Sequence, residues 1–161
     1  DGDQLTLVFQ TQGDYGILRQ SEKNCLSYTP NSNINGLDRL QLTAFDGLYT
    51  SNPKTLTITI IAVNDPPTLS PIENISILED TSSDLISIFV TDIDNTIDEL
   101  NIDVLSDQIS LIPNNIENIK TVQTDKGYSL QLIPVADQSG SSTITVTVSD
   151  ELTSVSTNFK G

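Results

Sequence analysis

The stretch Thr143-Ile144-Thr145-Val146-Thr147-Val148 alternates between hydroxyl-bearing and aliphatic side chains without a break. In an extended backbone successive side chains point to opposite faces, so such a run has one face to bury and one for solvent. Its β-branched residues reinforce the strand preference. The pattern recurs at Thr55-Leu56-Thr57-Ile58-Thr59-Ile60 and, less strictly, at Leu40-Gln41-Leu42-Thr43-Ala44-Phe45. No segment shows a helical apolar period with caps at its ends. Short strands between polar turns bury their apolar faces by stacking sheets, and this predicts an all-β sandwich.

Further strands are expected at 4–10, from Ile17, at 23–28, 54–63, 85–91, 100–105, 116–123 and 129–133. Asp46-Gly47 and Asp125-Lys126-Gly127 read as turns. After the strand that ends near Val63 comes Asn64-Asp65-Pro66-Pro67. Neither proline can donate to a ladder and each holds its own φ, so the joint is short and stiff.

The two sides of that joint repeat one another. Pro30 and Pro134, Gly36 and Gly140, Thr43 and Thr147, and Asp46 and Asp150 are each separated by 104 residues. Asp1-Gly2-Asp3 matches Asp92-Ile93-Asp94 at an offset of 91. The 13 residues between these offsets fit extra loop or hairpin around 105–118. The expected architecture is therefore two tandem β-sandwich domains of about 100 residues each, a usual sandwich size. One spans 1–65 without its first strand; the other spans 66–161 with an incomplete last strand.

The acid balance narrows the function. The chain holds 22 Asp and Glu against 7 Lys and Arg, a net charge of −15. That field repels nucleic-acid phosphates and anionic membrane surfaces. No apolar run reaches the ~20 residues of a membrane helix. There is no histidine and one cysteine, Cys25, so an intramolecular disulfide, a Cys-based zinc site and a Ser-His-Asp triad are all excluded within the chain. Cys25 reads as a small buried apolar residue of a strand. Paired acids could suit glycoside hydrolysis, but these lie at turns and no tryptophan is present to stack a sugar, so the chain is not read as an enzyme.

Clustered acids suit a hard cation, which takes oxygen ligands. Sandwich loops gather at the two ends. Asp92 and Asp94 close one strand and Asp150 follows another. If both turns face the joint they meet Asn64 and Asp65, and like charges that close call for a cation. Asp1, Asp3 and Asp46 form the corresponding set in the first repeat.

These motifs resemble the tandem cadherin-like repeats of large bacterial surface and secreted proteins. The first repeat is similar through Asp1-Gly2-Asp3-Gln4-Leu5-Thr6, Tyr28-Thr29-Pro30, Asn35-Gly36-Leu37-Asp38, Asp46-Gly47 and Val63-Asn64-Asp65-Pro66-Pro67. The second is similar through Glu79-Asp80-Thr81, Val90-Thr91-Asp92-Ile93-Asp94, Ala136-Asp137-Gln138-Ser139-Gly140 and Thr147-Val148-Ser149-Asp150. The resemblance implies Greek-key sandwiches with Ca2+ between successive repeats. It implies ligand roles for Asn64, Asp65, Asp92, Asp94 and Asp150, and for Glu79 toward the next repeat. It also puts Asn33 and Asp137 near a ligand position at the other end. Ala62, Pro66 and Glu151 depart from the cadherin pattern, which implies about one or two ions.

The expected function is a calcium-binding spacer or adhesion segment of an extracellular or cell-surface protein. Its partners would be neighbouring repeats of the same chain and a surface protein or glycan. The alternatives are an Ig-like spacer without metal and a carbohydrate-binding accessory module.

Overall fold

The structure, a computed structural model, describes residues 5–9, 13–20 and 25–161. The chain divides into two compact units, Asp1–Val63 and Asn64–Gly161. The sequence places the boundary after Asp65; in the structure Asn64 and Asp65 fold with the second unit.

The first unit contains β1 (Thr6–Phe9), β2 (Gly16–Gln20), β3 (Leu26–Pro30), β4 (Gly36–Phe45) and β5 (Lys54–Ile60). One sheet runs β1-β4-β5 and the other is the antiparallel pair β2-β3. Among the described residues its buried apolar side chains are Leu18 and Leu40. Asp38 is buried beside them and fully engaged. Its carboxylate accepts from the Tyr28 hydroxyl and from the backbone N–H of Asp14 (3.1 Å), Tyr15 (3.2 Å) and Arg39 (2.9 Å). A side chain at Gly13 would put its Cβ 1.9 Å from Asp38 Oδ2, so only glycine lets the backbone come this near. The Tyr28 bond, the largest influence, holds Asp38 below the usual carboxylate range. Burial and then Asp38 push the Tyr28 phenol up to about 12.

The second unit contains β6 (Thr68–Leu69), β7 (Ile86–Thr91), β8 (Asn101–Ser106), β9 (Ile119–Thr124), β10 (Gly127–Leu132), β11 (Thr143–Ser149) and β12 (Ser154–Lys160). They form a four-stranded sheet, β6-β7-β10-β9, and a three-stranded sheet, β12-β11-β8. The connections β7–β8, β8–β9 and β10–β11 each pass from one sheet to the other, the Greek-key pattern of a sandwich. The inward side chains alternate as the sequence predicts: Ile144, Val146 and Val148 of β11 are fully buried against Ile88, Val90, Leu130 and Leu132 of the other sheet. Tyr128 is buried with its hydroxyl donating to the Leu100 carbonyl at 2.8 Å, which removes the penalty of an unpaired polar tip.

Several details lay beyond sequence pattern. β6 opens directly after Pro67, because both prolines sit ahead of the first ladder pair, Thr68↔Thr91. The segment expected as a strand from Ile116 begins its ladder only at Ile119, because Asn115 Oδ1 accepts from the N–H of Glu117 (2.9 Å) and Asn118 (3.0 Å) and holds a turn there. The extra residues around 107–118 are loop, pinned by Asn114 to the backbone of Ser106 and by burial of Ile112. Gly127, at φ +137, lies so close to β7 that a Cβ would sit 2.1 Å from the Ile88 carbonyl oxygen.

Candidate functional site

β11 ends at Ser149, and Asp150 makes the turn into β12. Asp150 Oδ1 accepts from the N–H of Leu152 (2.6 Å) and of Thr153. Oδ2 accepts from the Thr153 hydroxyl (2.8 Å) and from Asn64 Nδ2 (2.9 Å). A carboxylate receiving this many donors stays ionised, and the Asn64 amide, with the Thr153 N–H next, holds Asp150 far below the usual carboxylate range. Asn64 thereby fastens the joint to the β11–β12 turn.

The next residue fastens the same joint to a second turn. The Asp65 N–H donates to Asp94 Oδ2 at 2.7 Å. Asp94 lies in the turn that leaves β7, where Asp92 Oδ1 accepts from the N–H of Asp94 (2.7 Å) and Asn95 (2.9 Å). Asp92-x-Asp94 is thus an Asx turn that aims the second carboxylate at the joint. All five residues expected at this end, Asn64, Asp65, Asp92, Asp94 and Asp150, gather there.

They do not converge as a closed shell of carboxylates. Among the described residues no three His, Cys, Asp or Glu side chains come together closely enough to hold a metal. Donors from the backbone and from Asn64 satisfy Asp150 and engage Asp94. Two oxygens differ: Asp92 Oδ2 and Asn95 Oδ1 are buried and have no hydrogen-bond partner. A buried carboxylate oxygen without a donor is costly, and oxygens of this kind are the ligand type that hard cations take. Asn95 was absent from the expected ligands, although Asp92-Ile93-Asp94-Asn95 carries a third oxygen side chain in the same turn.

Glu79 lies elsewhere. It precedes β7, whereas Asp92 follows it, and it lines a cavity of about 320 Å³ with Leu78, Gln138 and Gly140. Its neighbour Asp80 accepts from the Asp137 N–H at 2.9 Å. Asp137 and Asn33, 104 residues apart, share the left-handed backbone at φ 58 and 57. In the first unit Asp46 makes the turn that Asp150 makes in the second, with Oδ1 accepting from Leu48 (2.8 Å) and Tyr49 (2.6 Å). The Tyr49 N–H is the largest influence lowering Asp46. Asp1 and Asp3 lie outside the described residues.

The strand order of the second unit is the four-plus-three order of a constant-type immunoglobulin sandwich. The bacterial Ig domain family matches the chain twice, over residues 1–59 and 64–159. No curated protein matches the chain in sequence. Among solved structures, the titin domains Z1Z2 in complex with telethonin are similar, at 14% identity and a TM-score of 0.50, over 98% of this chain and 79% of that one. The human desmocollin-1 ectodomain is 14% identical at a TM-score of 0.48, over 98% of this chain and 34% of that one. An endo-fucoidan hydrolase of glycoside hydrolase family 107 is 18% identical at a TM-score of 0.40; 99% of this chain spans 23% of its length. At 14% identity the titin domains speak to fold alone. The two matched stretches, with the Greek-key order of the second, make this chain a tandem pair from the bacterial Ig domain family.

Proposed function

We propose that the chain is a calcium-binding spacer or adhesion segment of a larger surface or secreted protein. The observation that carries this reading is the pair of buried, unpartnered oxygens, Asp92 Oδ2 and Asn95 Oδ1, at the end where Asn64, Asp65, Asp94 and Asp150 gather. Asp92, Asn95 and Asp94 would hold the ion. A bound divalent cation supplies positive charge to a net −15 chain at a turn that carries two acids. Asn64 and Asp65 hold the joint to the same end, so ordering the Asp92–Asn95 turn also orders Asn64–Pro67. Only three residues, Ile61–Val63, separate β5 from Asn64, which suits a stiff spacer. An extracellular or cell-surface position follows from this reading, because calcium at millimolar levels suits weak oxygen sites. No helix among the described residues is long and apolar enough to cross a membrane.

A metal-free spacer is the second reading, favoured by the full complement of donors around Asp150. Calorimetry separates the two. At calcium a hundredfold above its dissociation constant the second unit gains about 2.7 kcal/mol and melts higher. The double variant Asp92→Ala, Asp94→Ala loses that shift. An unchanged melting profile at millimolar calcium leaves the metal-free spacer.

A further inference from the structure

In the second unit β9 is held on one side only. Its sheet runs β6-β7-β10-β9, so β10 is its neighbour and the far edge is open. Residues 120–124 are exposed, and Val122 in the middle is 64% exposed. The other edge of the same sheet, β6, has two residues and follows two prolines, which blunts it. β9 has six residues, no proline, no acid and one lysine, and its Ile119, Thr121, Val122 and Thr124 are β-branched.

The ladder fixes which main-chain groups face that edge. The Ile133 N–H donates to the Asn118 carbonyl at 2.8 Å, one pair beyond Leu132↔Ile119. Hydrogen-bonded pairs alternate along an antiparallel ladder, so Lys120, Val122 and Thr124 bond to β10 while Thr121 and Gln123 turn their N–H and C=O outward. The other flank of β10 agrees. The Val90 N–H donates to the Lys126 carbonyl at 3.1 Å, which sets the even-numbered residues of β10 toward β7 and the odd-numbered ones toward β9. Among the described residues no main-chain group answers those of Thr121 and Gln123.

We propose that β9 is a self-association strand: two copies of the chain join antiparallel along it, about a two-fold axis at Val122. A two-fold axis perpendicular to the sheet keeps matching faces of the two copies together. Centred on Val122, it sets Thr121 against the partner's Gln123 and Gln123 against the partner's Thr121, and each couple exchanges N–H···O bonds in both directions. Val122 meets the partner's Val122 at the close, non-hydrogen-bonded position, where both leave water. Lys120 stands opposite the partner's Thr124, so no like charges meet. The neighbouring registers are worse. Centred on Gln123, Lys120 faces the partner's Lys126. Centred on Thr121, Gln123 faces the partner's Ile119, whose N–H is already given to the Asn115 carbonyl at 2.9 Å. One strand pair buries little area, which suits a weak contact multiplied between many copies. The inference does not depend on calcium.

Sedimentation equilibrium and amide hydrogen exchange on the whole chain test it. The native chain should show a monomer–dimer equilibrium toward millimolar concentration, with exchange at the Thr121 and Gln123 N–H groups about tenfold slower than in dilute solution. Val122→Lys and Val122→Glu each put like charges on the axis and should weaken dimerisation by about tenfold or more. Their melting temperatures should stay at the native value, because the side chain already lies in water. An equimolar mixture of the two variants should pair again, lysine against glutamate. A native chain that stays monomeric at millimolar concentration would overturn the proposal. So would a dimer that leaves Thr121 and Gln123 exchange unchanged, or a mixture that associates no more tightly than either variant alone.

Discussion

Asp150 shows how much one side chain organises. Its two oxygens serve two backbone N–H groups, a hydroxyl and the Asn64 amide while the residue is only 6% exposed. Asp150→Ala should lower the urea midpoint of the second unit, because two backbone N–H groups, the Thr153 hydroxyl and the Asn64 amide lose an ionised acceptor at once. The pH dependence has a definite sign. The folded-state pKa lies below that of the unfolded chain, so this contribution is full above the unfolded carboxylate value of about 3.9 and is lost as the pH falls beneath it. Urea midpoints measured from neutral pH down into acid should fall less steeply for Asp150→Asn than for the native chain. Parallel curves would mean that the charge is not what the turn requires. Asp38, Asp46, Asp107 and Glu99 are held low as well, so the comparison between the two proteins isolates the Asp150 share.

At the scale of the element, equivalent strands have unequal surroundings. β10 is a central strand, and its Leu130 faces Ile86 across the ladder. β3 lies at the edge of a two-stranded sheet, and its Leu26 remains partly in water. Leu130→Ala opens a cavity in a packed interior and should destabilise its unit by about 3 kcal/mol. Leu26→Ala should cost less than about 1 kcal/mol, because solvent already occupies part of its surroundings. Equilibrium unfolding of the two variants measures both. A Leu26 loss as large as the Leu130 loss would contradict this difference in burial.

For the whole molecule, the apolar interior is divided unevenly. Leu18 and Leu40 are the buried apolar residues described in the first unit, whereas thirteen form the interior of the second. Hydrophobic burial is the main favourable term in folding, so the first unit should melt first and unfolding of the chain should not be two-state. Three of the four tyrosines, Tyr15, Tyr28 and Tyr49, lie in the first unit and Tyr128 in the second. Near-ultraviolet circular dichroism should therefore lose most of its tyrosine signal in an early transition, ahead of the loss of strand seen in the far ultraviolet. Coincident transitions would contradict this division.

Alternation alone determined that the chain is built of strands, because a period of two leaves one face to bury. The 104-residue offset determined that the pattern occurs twice. Asp92, Asp94 and Asp150 were legible as neighbours of Asn64 and Asp65, because turns at strand ends must meet at an end of a sandwich. Their hydrogen-bonded chain was not legible: whether Asn64 meets Asp150 as amide donor or as oxygen ligand depends on positions 86 residues apart in sequence. Asn95 was missed for the same reason, since only burial distinguishes its unpaired oxygen from that of any surface asparagine. Likewise, Leu26 and Leu130 look alike in sequence. Their difference in burial was decided by tertiary pairing, because burial belongs to the neighbours that a residue acquires on folding and not to the residue itself.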